Sequence, residues 1–234
     1  MITLAIDTSS TMGSVAILDE DIVIAEWSQS VISGHASSLL TSVKKILYDS
    51  DLGLEQIDLF AFTIGPGSFT GLRIAAGTIK GLALATGKPV VGVRTLEALA
   101  FNVAFCGILI CPLMDARRND IYTGLYRVDH DGFPAEILPP VVSHPEAFFQ
   151  NISEEVIFLG DGALKHSKMI RDRFDGKAHF VPSNLNSIRS SAVGLLGIHL
   201  YSKGLVLNNL NFVPEYMRVS QAEQKLINEK AKIP

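Results

Sequence analysis

The sequence contains few of the residues that mark disulfide-rich, metal-binding or membrane proteins. Its two cysteines, Cys106 and Cys111, give no disulfide framework and are typical of a reducing compartment. The six histidines never recur three or four residues apart, and none lies beside a cysteine, so their spacing indicates no zinc or iron site. The longest apolar stretch, residues 74–85, contains Lys80 and is shorter than the roughly 20 residues that a membrane span needs.

The chain also lacks a basic excess. Its net charge of −4 provides no general attraction to nucleic acid, although Arg117, Arg118 and Lys165 leave open a small local patch. The N-terminus has no basic segment ahead of an apolar one, which indicates a strand rather than a signal peptide. Hydrophobic residues make up 47% of the chain, enough for a packed core. We expect a soluble, cytoplasmic protein of one large or two modest domains, with no membrane association.

The order of the predicted elements indicates an α/β fold made of two related halves. The first half has predicted strands at 2–6, 14–18, 22–27, 59–64 and 90–93 and helices at 35–50, 68–86 and 95–104. The second half is a shortened repeat, with strands at 108–114, 120–126 and 156–159 and helices at 145–151, 163–174 and 190–201. This order predicts mixed sheets flanked by helices and resembles the actin-like ATPase (ASKHA, ribonuclease H-like) fold. We predict an N-terminal subdomain over 1–104, a smaller C-terminal subdomain over 105–213 and a tail over 214–234.

A glycine-rich run at 65–73 joins a predicted strand to a predicted helix and has the outline of a phosphate-binding loop. A Walker loop needs Lys-Ser/Thr after its last glycine, where this chain has Leu72 and Arg73. The dinucleotide fingerprint needs glycine in place of Thr70, and the nucleophile elbow needs glycine in place of Pro66. A tight structural turn that caps the next helix is therefore favoured. Its predicted members are Gly65, Pro66, Gly67, Ser68, Gly71 and Arg73.

The helix at 68–86 has two different faces. One is an apolar stripe suited to a sheet, and the other consists almost entirely of small residues. Gly77 and Gly81 lie one turn apart on the second face, and each costs about 1 kcal/mol of helix propensity. Close approach of another helix would offset that cost, and this helix could belong to the same chain or to another subunit. We favour a subunit contact in which the helices at 35–50 and 68–86 pack against the same pair of helices in a partner, as a helical bundle. The predicted contact residues are Leu39, Val43, Thr70, Ile74, Gly77, Thr78 and Gly81.

The first predicted turn carries a candidate nucleotide site. In actin-like ATPases this turn places an acid and hydroxyl groups beside the nucleotide phosphates, a role open here to Asp7, Thr8 and Ser9. The equivalent turn of the second half, at 115–118, has no glycine-rich hairpin, so half of the phosphate clamp is missing. We therefore interpret the three residues as a weak, vestigial nucleotide loop. A plain turn is favoured for the glycine pair at 160–163.

Several strings resemble the bacterial TsaB family, the glycoprotease-like proteins of tRNA threonylcarbamoyladenosine biosynthesis. They are Ile-Asp-Thr-Ser at 6–9, the run at 65–73, Lys-Gly-Leu-Ala at 80–83, Asp-Ala-Arg at 115–117 with Tyr122, Gly-Asp-Gly-Ala at 160–163, and Pro-Glu-Tyr-Met-Arg at 214–218. They follow the family order over nearly the whole chain, and the glycine run is the most specific of them.

The resemblance implies an actin-like fold and a scaffold subunit that is not an enzyme. It implies a heterodimer with TsaD, the catalytic paralogue that transfers threonylcarbamoyl to the adenosine beside the anticodon. It also implies a TsaE-like ATPase in the complex, a homodimer when the chain is alone, and access to tRNA only through the complex.

The resemblance further implies that the chain has no metal, cofactor or catalytic residue. The catalytic relative has a His-x-x-x-His metal motif. The similar segment here has Thr95 and Leu99 at the two ligand positions and retains Glu97 between them. One carboxylate does not hold a metal. Two alternatives stay open. One is a stand-alone ATPase or metalloprotease-like enzyme of the same fold, and the other is a direct tRNA-binding module.

Overall fold

Two five-stranded sheets form the framework of the computed structural model, which describes residues 1–30, 35–150, 152–207 and 211–218. The first sheet contains β1 (Ile2–Asp7), β2 (Met12–Asp19), β3 (Ile22–Ser30), β4 (Leu59–Gly65) and β5 (Val90–Arg94). The second contains β6 (Leu109–Asp115), β7 (Ile121–Val128), β8 (Pro134–Ser143), β9 (Val156–Leu159) and β10 (Ala178–Phe180). The strands of each half lie side by side in the same order: third, second, first, fourth and fifth. The first three strands of each half form an antiparallel meander, and the fourth and fifth strands are added by parallel pairings.

The helices follow the same repeat. They are α1 (His35–Asp49), α2 (Phe69–Thr86), α3 (Thr95–Phe101), α4 (Pro145–Phe149), α5 (Asp161–Lys165), α6 (Ser167–Phe174) and α7 (Ser190–Ser202). The single helix predicted at 163–174 is wrong, because His166 leaves helical geometry at φ −100 and ψ 15 and separates α5 from α6. None of the helices in the described part of the chain combines the length and apolarity that crossing a bilayer requires.

The second half repeats the first completely, so the prediction of a shortened repeat is wrong. The sequence prediction lacked two strands of the second half, β8 and β10. Pro139 and Pro140 interrupt the strand pattern of β8, but this strand lies at the sheet edge, where proline is tolerated. β10 has only three residues and pairs with β9, so its sequence carries too short a pattern to be recognised.

The core consists of three clusters that alternate with the sheets. Successive side chains of a strand point to opposite faces of the sheet. Leu4 and Ile6 of β1 therefore pack under α1 and α2, while Ala5 faces the interior between the sheets. The middle cluster joins both sheets through α3 and α7. The third cluster covers the other face of the second sheet and includes Phe149 of α4 and Phe174 of α6.

The subdomains are not contiguous segments. α7 lies within the predicted C-terminal subdomain but packs against β1, β2 and β4 of the first sheet. Its glycines make this possible, because a Cβ on Gly194 would overlap Leu18 and a Cβ on Gly197 would lie 2.6 Å from the Cβ of Ala61. Phe212 also returns to the first sheet, 5.0 Å from the ring of Phe62. The boundary that assigns all of 105–213 to the second subdomain therefore needs correction.

Candidate functional site

The predicted nucleotide turn is buried and its polar groups are largely occupied. Asp7, Thr8 and Ser9 are at most 3% exposed. Asp7 Oδ1 accepts hydrogen bonds from the Ser9 amide (3.0 Å), the Ser9 hydroxyl (2.5 Å) and the Thr63 hydroxyl (2.7 Å). Within the described residues its Oδ2 has no partner. Burial raises the pKa of the Asp7 carboxyl, and the hydrogen bonds from Ser9 and Thr63 oppose that rise.

The glycine run lies against this turn. The Ser68 amide donates to the Ser9 carbonyl at 2.7 Å, and the Thr8 hydroxyl donates to the Gly71 carbonyl at 2.7 Å. A Cβ on Gly67 would overlap the carbonyl of Ser9, and a Cβ on Gly71 would overlap that of Thr8. Ser68 also caps α2, since its hydroxyl accepts from the Gly71 amide at 3.3 Å. The Thr8 hydroxyl and the Ser9 carbonyl thus bond to the glycine run, while the Ser9 amide and hydroxyl bond to Asp7.

The cleft beside this turn offers little space. A cavity of about 40 Å³ lies between the two halves and is lined by Ser10, Thr11, Met12, Leu99, Met114, Asp161, Asn186, Ser187 and Ile188. Small-molecule sites usually occupy about 300–1,000 Å³. The cavity in this conformation is therefore too small for a nucleotide.

Alanine at Gly71 is expected to lower the free energy of unfolding by about 2–4 kcal/mol, because its Cβ would overlap the Thr8 backbone and push the loop away from the turn. Urea unfolding measures the loss. Gly107→Ala is the control, since a Cβ there would have no atom within 4 Å, and its effect should stay within about 0.5 kcal/mol. Equal unfolding midpoints for the two variants would contradict the tight packing.

The segment at 214–218, here named the C-terminal strap, is anchored on the glycine run. The Glu215 amide donates to the Ile64 carbonyl at 2.7 Å. The Tyr216 ring stacks on Phe69 with centroids 4.3 Å apart. The Arg73 guanidinium lies 4.0 Å from the centroid of the Phe69 ring, and its Nε donates to the Tyr216 hydroxyl at 3.1 Å. Arg73 therefore ties the strap to the first turn of α2.

The strap also reaches the second half of the chain. Arg218 donates to the Ala116 carbonyl at 2.8 Å and pairs with Asp120. Sequence reasoning missed this bridge and treated the segment as a tail. The available signal was the motif Pro-Glu-Tyr-Met-Arg itself, with an aromatic and a cation two residues apart. The sequence also predicts a weak helix at 221–233, and these residues lie outside the described part of the chain.

The small-residue face of α2 is open. This open face consists of the exposed Thr70, Gly77 and Gly81 and the half-buried Ile74 and Thr78. A Cβ on Gly77 or Gly81 would have no described atom within 4 Å, apart from the helix's own nearby backbone. The glycines of α7 are the opposite case, because each meets a side chain of the first sheet. Packing within the described chain thus explains the glycines of α7 and leaves Gly77 and Gly81 of α2 unexplained.

On α1 the two predicted contact residues face inward. Leu39 is 5% exposed and Val43 is 1% exposed, and both belong to the core under the first sheet. Their side chains cannot reach a partner in this conformation, so their predicted role needs correction. The outward positions of the helix include Leu40 and Tyr48, which are 43% and 85% exposed.

The two positions that the resemblance compares with metal ligands are part of the core. Thr95 and Leu99 are fully buried on α3, in the layer between the two sheets. Glu97 is mostly buried, and desolvation raises its pKa to about 7, with Arg94 lowering it and Glu136 raising it. Among the described residues no group of three or more His, Cys, Asp or Glu side chains could hold a metal ion.

Comparison with known proteins yields matches over most of the chain. A family model described as "TsaD: tRNA N6-adenosine threonylcarbamoyltransferase" matches residues 29–226. The tRNA threonylcarbamoyladenosine biosynthesis protein TsaB of Bacillus subtilis is 32% identical over 230 residues, which cover 97% of this chain and 98% of that protein. The protein of the same name from Haemophilus influenzae is 31% identical, with 95% and 96% covered.

Solved structures agree with these matches. A Pseudomonas aeruginosa protein, described as similar to the peptidase YEAZ, superposes with a TM-score of 0.80 at 27% identity and covers 93% of this chain and 99% of its own. The ROK hexokinase of Thermus thermophilus has a TM-score of 0.51 at 11% identity, covering 87% and 100%, which indicates the fold alone. The actin-like fold predicted from the element order is confirmed.

Proposed function

The chain belongs to the TsaB family, and on that premise we propose that it is the non-catalytic scaffold of the tRNA threonylcarbamoyladenosine synthesis complex. In this role it pairs with a TsaD-like catalytic paralogue, which transfers threonylcarbamoyl to the adenosine beside the anticodon. A TsaE-like ATPase joins the complex, and tRNA is reached through the complex in the cytoplasm.

The open face of α2 is the observation that carries the proposal. Two solvent-facing glycines in the middle of an 18-residue helix lower its stability by about 1 kcal/mol each, and no contact in the described chain offsets this. Such a surface fits a helix of another subunit, because the absence of side chains lets two backbones approach closely. The same face would serve the homodimer of the isolated chain, so the two pairings exclude each other.

Two further observations support a subunit that performs no chemistry of its own. The turn that would contact nucleotide phosphates is buried under the loop containing Gly67 and Gly71. Thr95 and Leu99, which the resemblance compares with the two metal ligands of the catalytic relative, are packed in the core. A stand-alone ATPase or metalloprotease needs at least one of these two sites intact, so neither alternative is favoured.

Reconstitution tests the proposal. The TsaD-like subunit, the TsaE-like ATPase, tRNA and a threonylcarbamoyl donor are combined with and without this chain, and modified adenosine is measured by mass spectrometry of digested tRNA. Omitting the chain should reduce the product at least tenfold, and the chain alone should turn over no ATP. Full product formation without the chain would reject the scaffold role, and ATP turnover by the isolated chain would restore the enzyme alternative.

A further inference from the structure

The turn between β6 and β7 holds two arginines in an unusual backbone conformation. Arg117, Arg118 and Asn119 have φ angles of 62°, 53° and 63°, and all three are exposed. A left-handed backbone costs a non-glycine residue roughly 1–2 kcal/mol, so three in succession need strong support from their surroundings.

Hydrogen bonds at both ends of the turn provide this support. The Ala116 amide donates to the Asp120 carbonyl at 2.9 Å, and the Asp120 amide donates to the Arg117 carbonyl at 3.0 Å. The Arg117 amide donates to Asp115 Oδ1 at 3.0 Å. Arg218 of the C-terminal strap then holds the turn from outside, through the Ala116 carbonyl and the Asp120 carboxylate. The backbone that carries the two arginines is therefore fixed.

The two arginines keep their full charge. The acids that flank the turn are each neutralised by another cation, Asp115 by Lys165 at 2.8 Å and Asp120 by Arg218. Within the described residues, neither the Arg117 nor the Arg118 guanidinium has a hydrogen-bond or ion-pair partner. The turn thus displays two unneutralised positive charges on a chain whose net charge is −4.

The adjacent groove is a weaker candidate for the same purpose. It measures about 610 Å³ and is lined by Glu146, Lys165, His166, Lys168, Met169, Asp172 and Arg173. Its cations are partly balanced by Glu146 and Asp172, and Lys165 is already paired with Asp115. An anion would therefore be attracted to the turn more strongly than to the groove.

We propose that Arg117 and Arg118 contact backbone phosphates of the tRNA when the chain is part of the complex, an inference that rests on the proposed function. Guanidinium groups bind phosphate oxygens in bidentate geometry, and a rigid turn limits the side-chain entropy lost on binding. Because the rest of the chain is acidic, two such contacts are too few for tight binding alone, and the catalytic subunit must supply the others. A ligand with regularly spaced anions fits two neighbouring arginines better than an isolated carboxylate does.

The test is a salt titration of tRNA binding to the reconstituted complex. Each phosphate contact contributes about 0.7–0.9 to the slope of log K against log salt, and therefore a factor of about 5–8 in affinity at 0.1 M salt. The double variant R117A/R118A should raise the Kd about 25- to 60-fold and reduce the slope by about 1.4–1.8. Arg117→Lys with Arg118→Lys keeps both charges and should keep most of the slope.

Two controls separate this inference from the proposed function. Lys203→Ala removes an exposed cation at the end of α7 and should leave the slope unchanged. Size-exclusion chromatography should show the double variant still bound to the TsaD-like subunit. An unchanged Kd and an unchanged slope would overturn the inference. Release of a protein subunit from the complex of the double variant would also overturn it, because the turn would then bind an acidic protein surface rather than tRNA. If the unaltered chain itself failed to join the TsaD-like subunit, the proposed function would fail. If the unaltered chain joined it and the double variant kept the same slope, only the inference about the arginines would fail.

Discussion

Leucine in place of Gly77 or Gly81 is expected to abolish the heterodimer with the TsaD-like subunit while the monomer stays folded. Both positions face solvent, and a Cβ added there has no described atom within 4 Å, apart from nearby backbone of α2 itself. In the complex the same side chain would occupy the space that a partner helix needs. Overpacking at one such site typically costs 1–3 kcal/mol, and loss of close helix approach adds to it, so the Kd should rise at least about a hundredfold.

The free monomer should respond in the opposite direction. Leucine has a higher helix propensity than glycine, so each substitution should raise the free energy of unfolding of the isolated chain by up to about 1 kcal/mol. A variant that is more stable alone and unable to pair would separate a surface effect from a folding defect. If the isolated chain forms a homodimer through the same face, as proposed, that homodimer should be lost in parallel.

Size-exclusion chromatography and isothermal titration calorimetry measure the pairing, and urea unfolding measures the stability. Gly107→Leu adds the same side chain at an exposed glycine whose Cβ would also contact nothing, and it should leave the complex intact. If Gly77→Leu and Gly81→Leu also left the complex intact, the open face would not be the interface. The scaffold role would then need a different surface.

Local patterns in the sequence predicted the helices that matter most for the proposed function. The 3.6-residue period of α2 separates a buried stripe from a small-residue face, and the structure places Gly77 and Gly81 on the exposed side. Periodicity cannot say what covers an apolar stripe. Leu39 and Val43 were assigned to a partner, whereas the first sheet buries them.

Long-range packing lay beyond local patterns. α7 is apolar on nearly every side, which indicates burial but not which sheet it joins, and only the fold shows that it crosses back to the first half. The strap was misjudged for a similar reason. Its polar composition is typical of a loose tail, but Tyr216 and Arg218 find partners that are more than 90 residues away in the chain.

Glu97→Gln on α3 is expected to make the stability of the chain less dependent on pH and to raise it at alkaline pH. In the folded chain burial raises the pKa of this carboxyl to about 7 from its ordinary value of 4.5. The folded state therefore holds the proton more tightly than the unfolded state does. The contribution of this bound proton to the free energy of unfolding is fully present below pH 4.5 and is lost as the pH rises to about 7. A shift of this size corresponds in full to about 3–4 kcal/mol, and solvent screening at this partly exposed carboxyl reduces it to about 2–3 kcal/mol.

Glutamine stays neutral at every pH, so the variant avoids this loss. At pH 8 it should be more stable than the unaltered chain by about 2–3 kcal/mol, and at pH 4.5 the two should be nearly equal. Urea unfolding at several pH values measures the difference in free energy of unfolding between the variant and the unaltered chain. The contributions of other titrating groups largely cancel in this difference. Glu146→Gln, at an exposed carboxylate on α4, should show no such pH dependence. Parallel stability curves for Glu97→Gln and the unaltered chain would mean that Glu97 is already ionised in the folded state at neutral pH. Position 97 on α3 would then tolerate a negative charge in the folded chain.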